Sequence, residues 1–353
     1  MSRFLSEKLN KLVPYTPGEQ PRDMKYIKLN TNESPFMPSE TARKYAQNAA
    51  NSLELYPDPE CKTLSKLFAE TVGVPTECVL ATNGSDEILN FAFMAFCDEN
   101  HPAIFPDITY GFYSVFANLH SSDFTVIPLE DDFSIDANKF CGVNGCVFIA
   151  NPNAPTGLAL SLSDVEKIVK SNPENVVVID EAYVDFGAES AVNLVNKYDN
   201  LLVVQTFSKS RSMAGARLGF AIGNEEIIGD LHKLRYSTNP YNINRLTLAA
   251  GSATIDSQEY YDNNCKKIME TREYVKAELE KLGFFVLPSK ANFIFASSDN
   301  IDGGELYLKL KEKGVLIRHF TTERIRNFNR ITIGTPEEMK IFIDKVKEIM
   351  EEN

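Results

Sequence analysis

The sequence predicts an α/β protein: a mostly parallel central sheet sandwiched by helices, followed by a smaller α+β C-terminal domain. Three observations carry this prediction. At 353 residues the chain is long enough for about two domains with a large core. From about residue 60 to 240, short apolar runs alternate with helical patterns, and a run such as 176–179 is apolar at every position, as a strand buried on both faces is. After about residue 250 a long charged helical pattern and short alternating runs take over.

Residues 1–40 hold Pro14, Pro17, Pro21, Pro35 and Pro38 with little periodicity, which reads as an extended arm. The expected division is an arm and start of the small domain over 1–45, a large domain over 46–250 and a small domain over 251–353. Strands are expected at 78–81, 103–105, 124–128, 145–150, 176–179, 201–206 and 218–222. A helix over about 259–282 carries Lys266/Glu270 and Lys276/Glu280 pairs at i,i+4 spacing and stops at Gly283. Strands at 284–287 and 292–296, a helix at 305–313 and strands at 315–319 and 330–333 follow. Thr335-Pro336-Glu337-Glu338 opens a last helix with Met339, Phe342, Ile343, Val346 and Met350 on one face. In this architecture ligands sit where strand carboxyl ends meet the neighbouring lobe.

Thirty-six basic against 49 acidic residues give a net charge of −13, which argues against nucleic acid or an anionic membrane as the main partner. Local anion sites stay open. The first residues are charged early, and no stretch approaches the roughly 18 apolar residues of a membrane span. Six cysteines (Cys61, Cys78, Cys97, Cys141, Cys146, Cys265) lack C-x-x-C spacing, as expected of reduced thiols in a cytoplasm. Four histidines form no H-x-x-x-H pair, so no metal site is expected.

Three turns carry chemistry. In Leu80-Ala-Thr-Asn-Gly84-Ser85-Asp86-Glu a strand ends, Asn83-Gly84 turns and a helix opens, offering backbone N–H groups to an anion; read alone, this is also an ordinary capped turn. In Val176-Val-Val-Ile-Asp180-Glu-Ala-Tyr183 a carboxylate directly follows a buried strand, placed either to hold a cationic ring nitrogen or simply to cap a helix. In Gln205-Thr206-Phe-Ser208-Lys209 a lysine follows the next strand, with Arg217 eight residues on; buried at a pocket floor, its amine would be free for Schiff-base chemistry, whereas a lone lysine is usually solvated. Anion cradle, carboxylate and amine from neighbouring strand ends match the needs of pyridoxal 5′-phosphate.

In their order and spacing these segments resemble the fold-type I, class II pyridoxal-phosphate aminotransferases, within them the histidinol-phosphate branch. The resemblance extends over Leu29-Asn-Thr-Asn32-Glu-Ser-Pro, Leu55-Tyr56-Pro-Asp-Pro, Ile108-Thr-Tyr110-Gly-Phe-Tyr, Asn151-Pro-Asn-Ala-Pro-Thr-Gly, Ala214-Gly-Ala-Arg217-Leu-Gly and Arg330-Ile-Thr-Ile-Gly-Thr. It implies that Lys209 bonds the cofactor aldehyde and later shuttles a proton, and that Asp180 keeps the ring nitrogen protonated. Tyr183 would donate to the phenolic oxygen and Tyr110 would stack on the ring. Gly84, Ser85 and Asp86 through their backbone, with Thr206, Ser208 and Arg217, would hold the cofactor. Tyr56 would reach the phosphate of a partner subunit, making a homodimer with shared sites. The family's asparagine before Pro-Thr-Gly is Ala154 here, so Asn153, water or Tyr183 alone takes its place.

Arg318 and Arg330 are the substrate evidence, since a planar guanidinium fork suits carboxylate or phosphate. Arg318 has a second reading as a solvent-facing strand end. The resemblance adds Tyr15 and Asn32 from the arm. It implies transamination of L-histidinol phosphate with 2-oxoglutarate to give 3-(imidazol-4-yl)-2-oxopropyl phosphate and L-glutamate. The alternatives are decarboxylation of a phosphorylated amino acid such as threonine phosphate, aromatic amino-acid transamination, or a non-catalytic binding module, against which an intact Lys209 and Asp180 argue.

Overall fold

The computed structural model describes residues 2–10 and 12–352. In the arm lies β1 (Ile27–Lys28); β2 (Val79–Thr82), β3 (Ala103–Pro106), β4 (Phe124–Ile127), β5 (Cys146–Ala150), β6 (Val177–Asp180), β7 (Leu201–Thr206) and β8 (Gly219–Gly223) then build one seven-stranded sheet. Its spatial order is β2-β8-β7-β6-β5-β3-β4. The pairs among β3 to β7 are parallel, and β8 runs antiparallel to both its neighbours. The carboxyl ends of β2, β6 and β7 therefore share one edge with the start of β8.

Alternation splits each apolar run between two cores. Val177, Ile179, Val203 and Ile222 face one layer of helices, while Val178, Leu202, Val204 and Ala221 face the other. Each buried valine or isoleucine contributes about 1.5–3 kcal/mol, which holds the strand ends in fixed positions.

The small lobe begins with the helix Gln258–Lys281, which gives way at Gly283, a residue in the left-handed region at φ 82°. Then come β9 (Phe284–Val286), β10 (Phe293–Ser298), β11 (Val315–Leu316), β12 (Arg318–His319) and β13 (Asn329–Thr332), with helices at Gly303–Glu312 and Pro336–Glu351. The last helix opens with a capping box, Thr335 accepting from the Glu338 N–H and Glu338 from the Thr335 N–H. Val275, Leu279, Ile294, Ile331, Phe342 and Val346 form this lobe's core, and the arm contributes Leu29 to it.

Two expectations need correction. The strand at 315–319 is two short ones: β11 pairs in parallel with β1, whereas β12 joins the four-stranded sheet β12-β13-β10-β9. A chain that exchanges one sheet for another must break its ladder, and it does so at the buried Ile317. The boundary expected between residues 45 and 46 also falls inside a helix. Helix Glu40–Ala49, capped by Ser39, crosses that position as one rigid piece and packs on helix Arg245–Ile255 of the large lobe. No helix among the described residues is long and apolar enough to cross a membrane.

Candidate active site

At the shared strand edge lies an inner chamber lined by Ser85, Asp86, Asp180, Thr206, Ser208 and Arg217. It adjoins an outer chamber of about 470 Å³ between the lobes, and Tyr110, Ala154, Tyr183 and Lys209 line both. Lys209 is fixed just beyond β7, its Nζ donating to the Thr31 carbonyl at 3.3 Å and standing 5.8 Å from the Tyr183 ring centroid. Burial, then the charge of Arg330, lowers the amine to about 8. A substantial fraction is thus neutral near pH 8.

Asp180 ends β6 and accepts from the Ala182 N–H at 3.2 Å and the Tyr113 hydroxyl at 3.3 Å. Burial pushes its carboxyl up to about 7 against those donors. A carboxylate so poorly compensated suits a cationic partner.

The anion cradle is built around Arg217. Its Nη2 donates to Asp86 at 2.8 Å, while Nη1 donates to Ser208 Oγ at 3.4 Å. Helix Ser85–Phe96 begins beside it with no side chain capping its first N–H groups. A Cβ at Gly84 (φ 82°) would lie 2.6 Å from Arg217 Nη2, so only glycine leaves the cradle open. Ser208 also accepts from Thr206 Oγ1 at 3.0 Å. Asp86 does more than lend backbone, because it accepts from the Tyr110 hydroxyl at 2.7 Å as well and so orients arginine and aromatic ring together. Amine, carboxylate and cradle fit the aldehyde, ring nitrogen and phosphate of pyridoxal 5′-phosphate. Asp86→Ala is expected to weaken that cofactor's binding about tenfold or more in a fluorescence titration, since a charge-assisted bond that aims Arg217 is lost. Unchanged affinity would mean Arg217 keeps its place unaided.

The outer chamber gathers Tyr15, Asn32, Arg318, Phe320 and Arg330. Arg318 and Arg330 are direct cross-strand partners of β12 and β13. Their guanidiniums lie 5.7 Å and 5.9 Å from the centroid of the same Phe320 ring. Like charges placed opposite each other destabilise a ladder unless an anion joins them. Arg330 donates to the Asn30 carbonyl at 3.1 Å, and its buried Nε has no protein partner. Arg318 reaches the arm carbonyls of Thr16 and Pro17 at 3.4 and 3.5 Å. Tyr15 stacks on Phe112 at 4.2 Å, next to Tyr110.

Asn153 is not where it was expected to act. Its amide donates to the Ile108 carbonyl and Thr156 and accepts from Thr109, so it braces its own loop, and Ala154 lines both chambers instead. Asn32 does line the outer chamber, but its amide is engaged by Tyr183 and Thr332 rather than held free for substrate. Tyr56 lies apart from both chambers of its own chain, 77% exposed and stacked on Tyr241 at 4.5 Å. Tyr113, Phe320 and Thr332 were missed. Tyr113 closes the Tyr110-Gly-Phe-Tyr segment, and period-two alternation already placed Thr332 on the face of Arg330.

A lysine, a carboxylate and an anion cradle at the carboxyl edge of a parallel sheet, facing an arginine-bearing second lobe, define a pyridoxal-phosphate-type site. The chain belongs to the aminotransferase class I and II family, whose profile matches residues 24–346. It is 53% identical over 352 residues to histidinol-phosphate aminotransferase of Brachyspira hyodysenteriae, covering 99% of each chain. It is 49% identical over 349 residues to the Clostridium acetobutylicum protein of that name, again covering 99% of each. The fold matches that of histidinol-phosphate aminotransferase from Sinorhizobium meliloti in complex with pyridoxal-5′-phosphate at TM-score 0.86 and 22% identity, over 93% of this chain and 92% of that one.

Proposed function

We propose that this chain transfers the amino group of L-histidinol phosphate to 2-oxoglutarate, using pyridoxal 5′-phosphate, and forms 3-(imidazol-4-yl)-2-oxopropyl phosphate and L-glutamate. The observation that carries the reading is the cross-strand pair Arg318 and Arg330 beside Lys209 in one chamber. Bound pyridoxal phosphate supplies an aldehyde that bonds amines and a ring that draws electrons from the adjoining carbon. Lys209 Nζ, neutral in part near pH 8, is the amine that would bond that aldehyde, and it would move the proton at the reacting carbon. Asp180 would hold the ring nitrogen's proton, and Arg217, Ser208 and the helix start at Ser85 would bind the cofactor phosphate. Tyr110 and Tyr183 line the same chamber, where Tyr110 would cover the ring and Tyr183 would serve its phenolic edge.

With the amine at Lys209, the substrate's anionic end extends to Arg330, and Tyr15, Tyr110 and Phe320 offer aromatic surface to the imidazole. One guanidinium fork takes the phosphate ester in one half-reaction and the carboxylate of glutamate in the other. We further propose that the protein acts in the cytoplasm as a homodimer in which Tyr56 completes the partner's phosphate site. The exposure of Leu53, Leu55 and Tyr56 side by side supports this, since contiguous apolar surface of that kind calls for a partner.

The deciding experiment supplies histidinol phosphate with 2-oxoglutarate and measures glutamate. Carbon dioxide release from threonine phosphate without a keto acid, or glutamate formed only from aromatic amino acids, would replace this reading with a lyase or an aromatic aminotransferase. Arg330→Ala is expected to weaken both half-reactions by about 2–5 kcal/mol in kcat/KM, because it leaves each anion unpaired in a partly desolvated site. Loss with glutamate but not with the phosphate ester would mean the anchor is not shared.

A further inference from the structure

A cofactor held by Lys209, Asp180 and Arg217 would turn the remaining polar edge of its ring, the phenolic oxygen beside the aldehyde carbon, toward Tyr183 and Ala154, which line both chambers. The Ala154 side chain has no hydrogen bond to give; its methyl packs with Ala291 and Phe293. Tyr183 is held edge-on against the same Phe293 at 5.0 Å. Its hydroxyl oxygen accepts from Asn32 Nδ2 at 2.9 Å. An amide N–H can only donate, so the phenol's own proton is left to point elsewhere.

The orientation of that amide follows from its neighbours. The Asn32 backbone N–H donates to Thr332 Oγ1 at 3.0 Å, and the Thr332 hydroxyl gives its proton to Asn32 Oδ1, also at 3.0 Å. With Oδ1 turned to Thr332, Nδ2 must face Tyr183. The Asn32 carbonyl accepts from Asn292 Nδ2 at 3.0 Å, and its backbone is held at φ 57°, in the left-handed region that asparagine tolerates better than most residues. Asn32 is 1% and Thr332 2% exposed, so water does not compete for these bonds. A donor into the Tyr183 oxygen also strengthens the hydroxyl as a donor in turn.

We propose that Thr332 and Asn32 are positioning residues: in series they aim the Tyr183 proton at the cofactor's phenolic oxygen, a task in which residue 154 takes no part in this chain. The inference rests on the pyridoxal-phosphate reading of the inner chamber. Donation to the phenolic oxygen favours its anionic form and lowers the proton affinity of the neighbouring Schiff-base link to Lys209.

The test is a pH titration of the near-ultraviolet and visible absorbance of the full-length, cofactor-loaded protein. Asn32→Gly, which keeps the backbone conformation, is expected to raise the pKa of the link by about one unit, the worth of one hydrogen bond, and Thr332→Val by roughly half as much. Asn32→Gly added to Tyr183→Phe should bring no further rise, because the two act through one oxygen. Asn32→Gly with Ala154→Asn should return toward the parent value, because an amide at position 154 would give the phenolic oxygen a donor of its own. An unmoved pKa in both Asn32→Gly and Thr332→Val, or full additivity with Tyr183→Phe, overturns the proposal while the cofactor reading stands. Failure of borohydride to fix the cofactor to Lys209 in the parent protein would overturn the cofactor reading and this proposal with it.

Discussion

Replacing Lys209 with alanine is expected to cut transamination by about 10⁴-fold or more and to leave no lysine that borohydride can fix to the cofactor. Nζ both bonds the aldehyde and carries the proton, and among the described residues no other lysine lines either chamber. Cofactor should still bind through its phosphate, because Arg217, Ser208 and the helix start at Ser85 are untouched. A trapped peptide carrying a different lysine would overturn the assignment. The parent protein supplies a second check. Burial first, and then Arg330, lowers the Lys209 amine to about 8, so it is increasingly neutral as pH rises toward that value. Reconstitution of apoprotein should therefore quicken about tenfold per pH unit below 8 and level off above it. A rate still climbing between about pH 9 and 10 would mark an ordinary solvated lysine.

Asp180→Asn should have two effects of opposite sign. Turnover falls roughly 100- to 1000-fold, since an amide cannot hold the ring nitrogen protonated. The apoprotein at pH 8, however, should melt higher than the parent. Asp180 has a folded value of about 7 against an ordinary 3.8. Between these the folded state binds a proton that the unfolded state does not, so stability declines as pH rises from about 4 to 7, and the full deficit remains above 7. Asparagine removes that deficit; its one oxygen can still accept from the Ala182 N–H, while its amide N–H faces the Tyr113 hydroxyl oxygen as a donor instead. Glu181 is also pushed to about 7 by burial, so only the difference between parent and variant isolates Asp180. Saturating cofactor should abolish the advantage, since a ring cation then faces the carboxylate. A variant less stable than the parent as apoprotein would mean that Asp180 is already paired.

Much of this was legible in the chain. The unbroken apolar run of β6 announced a strand buried on both faces, and whatever followed it had to emerge at the sheet's edge; that is how Asp180 could be placed. The same logic placed Lys209 after β7 and Gly84 after β2. Strand direction was not legible: β8 is as apolar as the strands that run parallel to one another, and its antiparallel course depends on a connection through Arg217 that local pattern does not encode. The split between β11 and β12 depends on a partner, β1, that lies far away in sequence. For the same reason the donors to Asp180 and Tyr183 were missed or given other roles. Tyr113 and Asn32 are ordinary polar positions until the fold turns them toward these groups. Asn153 shows the converse, a motif position read as chemistry that the loop uses to brace itself.

The pairing of β1 with β11 also sets a timetable. Val315 follows Ile27 by about 290 residues, so at roughly 5–20 residues per second of synthesis the arm waits on the order of 15–60 s for the strand on which it docks. Until then Leu29 has no core, and Tyr15 has no arginines to enclose. A nascent chain that has reached only residue 313 already carries Lys209, Asp180 and the Arg217 cradle, yet it lacks Arg318, Arg330 and the Thr332 that fixes Asn32. The half of the site that would take up cofactor is thus synthesised roughly 5–25 s before the half that selects substrate, which is closed by the first and last segments to meet.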